Sequence, residues 1–182
     1  MRRIINSTYI SADGVVEKPH LWPSSGSDGG AGDEIQTELA LSCDALIMGR
    51  RTYEGFAPVW PTRSGDPVSD HINTMDKYVV SSTLKDPEWH NTKVIDDDPI
   101  VAIEALKAKP GKNIVQYGVG QLTHALLGHG LLDELRLWVH PLLVGSGGPQ
   151  DLLYRDGPLT QLKLDDVTKL DNGIVILSYH VR

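Results

Sequence analysis

Asp44-Ala45-Leu46-Ile47-Met48-Gly49-Arg50-Arg51-Thr52-Tyr53-Glu54 is the stretch on which the fold turns. Its apolar run, bounded by polar residues, reads as a short strand buried on both faces. Gly49 lets the backbone turn or come close to a ligand. Arg50, Arg51 and Thr52 then present donors where a helix would begin and its first N–H groups stand unpaired. An anion, most naturally a phosphate, suits such a turn. An ordinary strand-to-helix turn with solvated arginines fits the same residues, and this stretch alone does not choose between the two.

Outward from this stretch the chain alternates strands and helices. Residues 3 to 10, with Ile4, Ile5, Thr8, Tyr9 and Ile10, suit a first strand that ends at the turn Asp13-Gly14. From Glu17 to Gly32 the composition shifts to Pro, Ser and Gly, and Trp22 marks this as a loop that folds over something. Ile35, Leu39 and Cys43, spaced by four behind Asp33 and Glu34, predict an amphipathic helix from Asp33 to Cys43. Beyond the opening stretch, Val68 to Met75 predicts a short helix, and Lys77 to Ser81 and Thr92 to Ile95 predict strands. Asp98-Pro99 caps and starts a helix that runs to Ala108.

Asn113 to Tyr117 is a strand that passes through Gly118-Val119-Gly120-Gln121 into a helix, Leu122 to Leu127. On the strand Leu135 to Val139, Leu135, Leu137 and Val139 share one face, and Arg136, Trp138 and His140 share the other. Asp171-Asn172-Gly173 joins two last strands, Leu162 to Leu170 and Ile174 to Val181, as a hairpin. The pattern is that of an α/β domain covering residues 1 to 182: a mostly parallel central sheet flanked by helices, with an antiparallel C-terminal hairpin.

The 182 residues suffice for one domain with a substantial core. A formal net charge of -7 argues against nucleic acid or an anionic membrane surface as the main partner. A single cysteine, Cys43, rules out an internal disulfide framework and a cysteine metal cluster. No His-Glu-x-x-His pattern points to zinc, so no metal is expected. No signal peptide or membrane span is read from the sequence, and the expected location is cytoplasmic.

Three strands end in chemistry that suits phosphate: Gly49-Arg50-Arg51-Thr52, Ser81-Ser82-Thr83 and Gly118-Val119-Gly120-Gln121. In an open α/β sheet, ligands bind beyond the carboxyl ends of the strands, so all three fit the strip of a dinucleotide. The acid that would bind a free ribose hydroxyl is missing. Arg50, Arg51 and the serines stand instead, which points to a 2′-phosphate and so to NADP.

Met48 to Glu54, Lys77 to Leu84, Tyr117 to Leu122 and Gly130 to Leu137, with Pro141 and Gly145, together resemble the dihydrofolate-reductase-like family. The closer likeness is to its branch related to the C-terminal reductase domain of the bifunctional riboflavin-biosynthesis deaminase-reductase. The resemblance implies NADPH along the strand ends. Gly49, Arg50, Arg51 and Thr52 would contact the phosphates; Ser81, Ser82 and Thr83 would lie by the adenosine and its 2′-phosphate. Gly118, Val119, Gly120, Gln121 and Leu122 would hold the pyrophosphate and nicotinamide side. Thr8 and Tyr9 would run beside the nicotinamide, with Asp13-Gly14 starting a mobile loop.

Asp33 stands at the offset of the family's catalytic carboxylate, and it can equally serve as a helix-capping residue. Trp22 and Trp138 are the candidates for substrate contact, and His140 either lines the pocket or packs. The expected activity is hydride transfer from NADPH to a small heterocyclic or carbonyl substrate. Alternatives are a riboflavin-pathway pyrimidine reductase, a folate reductase, or an NADP-binding sensor without turnover. The resemblance also implies a homodimer, for which the Trp138 strand offers an exposed contact.

Overall fold

The structure, a computed structural model, describes residues 1–23, 30–153 and 159–182. The apolar run Ala45 to Met48 forms the middle of β2 (Cys43–Gly49), and all four residues are buried, as an apolar strand flanked on both sides requires. The chain divides into two compact units, each assembled from separate stretches: residues 1–4 with 35–117, and residues 5–34 with 118–182.

The first unit holds four parallel strands in the order β4-β3-β2-β5, namely β2, β3 (Asp76–Val80), β4 (Thr92–Ile95) and β5 (Asn113–Tyr117). Its helices include α2 (Arg50–Phe56), α3 (Pro67–Thr74) and α4 (Pro99–Ala108). The last two start as their sequences dictate. Asp66 accepts from Ser69 N, Asp98 accepts from Ile100 N and Val101 N, and each is followed by proline in the first turn.

One boundary differs from expectation. The helix read as Asp33 to Cys43 is α1 (Ala31–Leu41), and Cys43 is the first, fully buried residue of β2. Ser42 stands at the break. Its hydroxyl donates to Leu39 O at 2.7 Å and its N–H to Glu38 O at 3.0 Å, so the last turn of the helix is satisfied where the buried Cys43 enters the strand.

Lys77, the second residue of β3, is fully buried. Its ammonium donates to three backbone carbonyls, Asn73 O, Met75 O and His90 O, at 2.8–3.0 Å, and lies 4.7 Å from the centre of the Trp89 ring. Three acceptors match three protons, which is how an uncompensated cation is avoided in this interior. Burial still disfavours the charge and brings the lysine down to about 8.

The second unit orders its strands β1-β6-β8-β7, with β1 (Ile4–Ser11) parallel to β6 (Glu134–His140). β8 (Val175–Val181) runs antiparallel to both β6 and β7 (Leu162–Lys169). The hairpin closes where the sequence calls for it, with Gly173 at φ 87° and Leu170 N donating to Ile174 O. α5 (Gln121–Gly128) follows Gly118.

Trp138 is not the exposed residue expected. It is 2% exposed, tilted against Tyr9 at 5.6 Å between ring centres, and its indole N–H donates to Ser7 Oγ at 3.0 Å. Alternation along β6 is real, but both faces of that strand are covered, so polarity of the neighbours did not signal exposure. Among the described residues, no helix is long and apolar enough to cross a membrane.

Candidate functional site

In the first unit the candidate site is the turn from β2 into α2. Gly49 is the residue that precedes the helix, at φ -81°, and no side chain caps the helix there. Neither backbone strain nor packing demands a glycine, because a Cβ at Gly49 would meet nothing within 4 Å among the described residues. What the glycine leaves is open space above the backbone.

Beside this space lies Arg50, whose Nη1 donates to Thr83 Oγ1 at 2.6 Å while its Nε pairs with Glu54 at 3.0 Å. The two contacts hold the guanidinium in one orientation, although an exposed i,i+4 pair of this kind contributes only about 0.3–0.5 kcal/mol. Arg51 is exposed on the same helical turn, and Thr52 is half-buried.

The hydroxyl cluster after β3 divides its labour. Ser81 is buried, and its Oγ accepts the backbone N–H groups of Leu84 at 2.9 Å and Thr83 at 3.2 Å. It therefore builds the turn. Ser82 and Thr83 are exposed, and Thr83 is the one in contact with Arg50. Of the seven residues predicted for this part of a phosphate site, the fold brings Arg50 and Thr83 into direct contact across 33 residues of sequence.

In the second unit, the glycine turn before α5 is fixed by β1. Gly118 sits at φ 77°, a left-handed conformation that side chains rarely adopt. Its N–H donates to Ser7 O at 3.1 Å, and its carbonyl accepts from Asn6 Nδ2 at 2.7 Å. Thr8 completes this buried chain by donating to Asn6 Oδ1 at 2.7 Å. Asn6 and Thr8 are thus spent on holding Gly118, a role that the sequence reading missed for Asn6. Its signal was available: Asn6 and Thr8, polar residues at i and i+2, share one face of the strand.

Gly120, at φ -163°, is extended backbone open to any residue, and a Cβ there would also meet nothing within 4 Å among the described residues. Its N–H donates to Thr123 Oγ1 at 3.3 Å. Val119 is nearly buried, Gln121 is exposed and Leu122 is half-buried.

At the carboxyl ends of β1 and β6, three rings stack in sequence. Tyr9 lies 4.8 Å from His140, and Trp22 meets His140 edge-on at 5.4 Å. The loop that was expected to fold over something folds its tryptophan onto this imidazole. Trp22 and His140 are both buried, and burial pushes the imidazole below its usual range, so it is neutral at pH 7.

Asp13 ties the start of the same loop. Its carboxylate accepts from Ser11 Oγ at 2.5 Å, Gly145 N at 2.8 Å and Val144 N at 3.1 Å, and these donors hold it down at about 2. The turn that the resemblance made the start of a mobile loop is therefore clasped to the 144–145 segment. Asp33 occupies the first turn of α1, half-buried, where the helix dipole favours a carboxylate.

Parallel strands that end in open glycine turns, followed by an antiparallel hairpin, define an α/β protein of the dihydrofolate-reductase-like class. The family model described as the RibD C-terminal domain matches residues 2–176, and the chain belongs to that family. An uncharacterized protein of Bacillus subtilis, YyaP, is 27% identical over 187 residues, covering 98% of this chain and 95% of its own. Two solved structures share the fold. A putative riboflavin biosynthesis protein from Shewanella superposes with a TM-score of 0.70 at 19% identity, over 100% of this chain and 99% of its own. A pyrimidine reductase-like protein from Corynebacterium diphtheriae does so with 0.72 at 16%, over 100% and 92%.

Proposed function

We propose that this chain is an NADPH-dependent reductase of a small heterocyclic substrate, with a pyrimidine as the first class to test. The observation that carries the reading is the Arg50–Thr83 contact beside Gly49: a cation and a hydroxyl held together next to backbone that nothing among the described residues fills. That donor set fits a phosphate monoester, since a guanidinium and a hydroxyl both supply N–H or O–H to its oxygens. Membership of the RibD C-terminal domain family and the fold shared with a pyrimidine reductase-like protein support the same class.

NADPH, when bound, supplies the hydride. The residues of this chain bind and orient. Arg50, Arg51, Thr52, Ser82 and Thr83 are assigned to the phosphates, with Ser81 shaping their turn. In the second unit Gly118 and Gly120 are assigned to backbone contact with the cofactor and Tyr9 to its ring, while Trp22 limits access of water. Asp33 is nominated as the group that delivers a proton, because it stands at the offset of the family's catalytic carboxylate and in the first turn of α1.

Quenching of tryptophan fluorescence by NADPH and by NADH tests the cofactor assignment. Loss of dihydronicotinamide absorbance against pterins, pyrimidines and carbonyl compounds then separates a reductase from a protein that binds NADP without turnover. Failure to bind NADPH at millimolar cofactor overturns both.

A further inference from the structure

Helix α2 and the segment that joins β3 to β4 meet at the surface through Arg50 and Thr83, and they meet a second time in the core of the first unit. Tyr53 follows Arg50 by one helical turn on α2 and is buried, and its hydroxyl accepts the backbone N–H of Trp89 at 3.2 Å. The two rings lie 6.4 Å apart between centres. Arg50 and Tyr53 belong to one short helix, and Thr83 and Trp89 belong to one short connection, residues 81–91. The Arg50–Thr83 and Tyr53–Trp89 bonds therefore close a single loop of contacts, with one side in water and the other buried.

The two sides differ in what they can hold. Arg50 and Thr83 are exposed, and water competes for both partners, so their contact alone does not set the spacing of the two elements. Trp89 is the opposite case. It is buried, its indole N–H donates to Asn73 Oδ1 on α3 at 3.0 Å, and its carbonyl accepts from Thr92 Oγ1 at 2.6 Å. The Lys77 ammonium lies under its ring and also binds the carbonyl of His90, the next residue. Asn91 then takes a left-handed turn at φ 58° and donates through Nδ2 to Thr74 O at 2.9 Å. The segment is thus anchored at Trp89, and the tyrosine hydroxyl keys α2 to that anchor. A phenylalanine would fill the same volume; the hydroxyl is what supplies an acceptor to a buried N–H.

We infer that Tyr53 and Trp89 are positioning residues of the phosphate site: their bond fixes where α2 stands against the 81–91 segment, and so holds Arg50 and Thr83 at the separation that selects a 2′-phosphate. The inference rests on the reading of Arg50 and Thr83 as a cofactor phosphate site. Tyr53 and Trp89 are both buried and act through that exposed pair. Hydrogen bonds from a guanidinium and a hydroxyl to phosphate oxygens are short and directional, so selectivity depends on the distance between the two donors as well as on their presence.

Calorimetric titration of NADPH and NADH into wild type, Tyr53→Phe, Arg50→Ala and the double variant tests it. Tyr53→Phe keeps the ring and deletes the acceptor. It is expected to weaken NADPH roughly 3- to 10-fold and to leave NADH unchanged, so that the preference for NADPH shrinks. In the Arg50→Ala background the same substitution is expected to have no further effect, because an effect transmitted through Arg50 is lost only once. A tyrosine with a structural role alone would lower stability and leave the ratio of the two affinities as it was. Trp89→Phe gives an independent reading: it releases the segment from Asn73, keeps a ring over Lys77, and is expected to shrink the same preference. Wild-type selectivity in Tyr53→Phe and Trp89→Phe overturns the inference. So does an equal loss for NADPH and NADH, or a full further loss on top of Arg50→Ala. Each of these outcomes leaves the phosphate-site reading standing, whereas a wild type that binds no NADPH overturns that reading and this inference together.

Discussion

Arg50 Nη1 donates to Thr83 Oγ1 at 2.6 Å, so the helix that follows β2 and the turn that follows β3 present one cation and one hydroxyl together. If these groups hold a cofactor phosphate, removing the guanidinium removes a charge-assisted hydrogen bond worth about 1.5–3 kcal/mol. Arg50→Ala is then expected to weaken NADPH roughly 10- to 100-fold, with Thr83→Val costing less. Arg50→Lys should recover only part of the loss, since a lysine lacks the planar fork. Fluorescence titration checks each value, and equal NADPH affinity in all four proteins would contradict the assignment.

Gly49 and Gly120 separate a binding role from a folding role. Both have backbone angles that alanine accepts, and a Cβ at either meets nothing within 4 Å among the described residues. Gly→Ala at such a helix-preceding position costs no more than about 1 kcal/mol of stability. Gly49→Ala and Gly120→Ala are thus expected to unfold near the wild-type denaturant midpoint while losing NADPH affinity, because the methyl group enters the space left for the ligand. Unchanged affinity in both would mean that the open space is not used.

Lys77 makes stability depend on pH in the alkaline range. Its proton leaves at about 8 in the folded chain and near 10.5 in the unfolded one. Between these values the unfolded state holds more protons, so stability rises with pH. Compared with Lys77→Met, wild type is expected to gain on the order of 3 kcal/mol over that window. The three carbonyl acceptors favour the ammonium and work against this slope. Urea unfolding of both proteins at pH 8 and 10.5 measures the difference, and a flat difference would show that the carbonyls offset burial completely.

His140 acts at the other end of the scale. Burial against Tyr9 and Trp22 keeps its imidazole neutral below the usual 6.5, so the folded state resists a proton that the unfolded state takes up. Stability is fully present above 6.5 and is lost as pH falls below it towards the folded value. His140→Phe keeps a ring in the stack and removes the titration. Thermal unfolding on either side of 6.5 should show wild type falling further than the variant on the acid side. Parallel curves would contradict this.

Much of this architecture could be read from local pattern. The cap Asp98-Pro99, the hairpin turn Asp171-Asn172-Gly173 and the buried run Ala45 to Met48 are local signals, and each lies where its chemistry places it. The helix ends at Leu41 although Cys43 continues the period of four, because Cys43 is already the buried first residue of β2 and the same apolar residue suits either element. Long-range partners left weaker traces. Nothing near Asp13 in sequence announces bonds to Val144 and Gly145, and a lysine inside β3 reads as solvated until Asn73, Met75 and His90 turn their carbonyls on it. Trp138 shows the same gap. Alternation gave its face correctly and its exposure wrongly, because alternation does not tell which faces are covered.

NADPH affinity, compared with NADH and with Arg50→Ala, is the most direct measurement of the central claim. The account predicts saturable tryptophan quenching by NADPH, weaker binding of NADH for want of the 2′-phosphate, and a preference between the two that shrinks in Arg50→Ala. No saturable response to NADPH at millimolar concentration, or equal affinities for both cofactors that Arg50→Ala leaves unchanged, would contradict it.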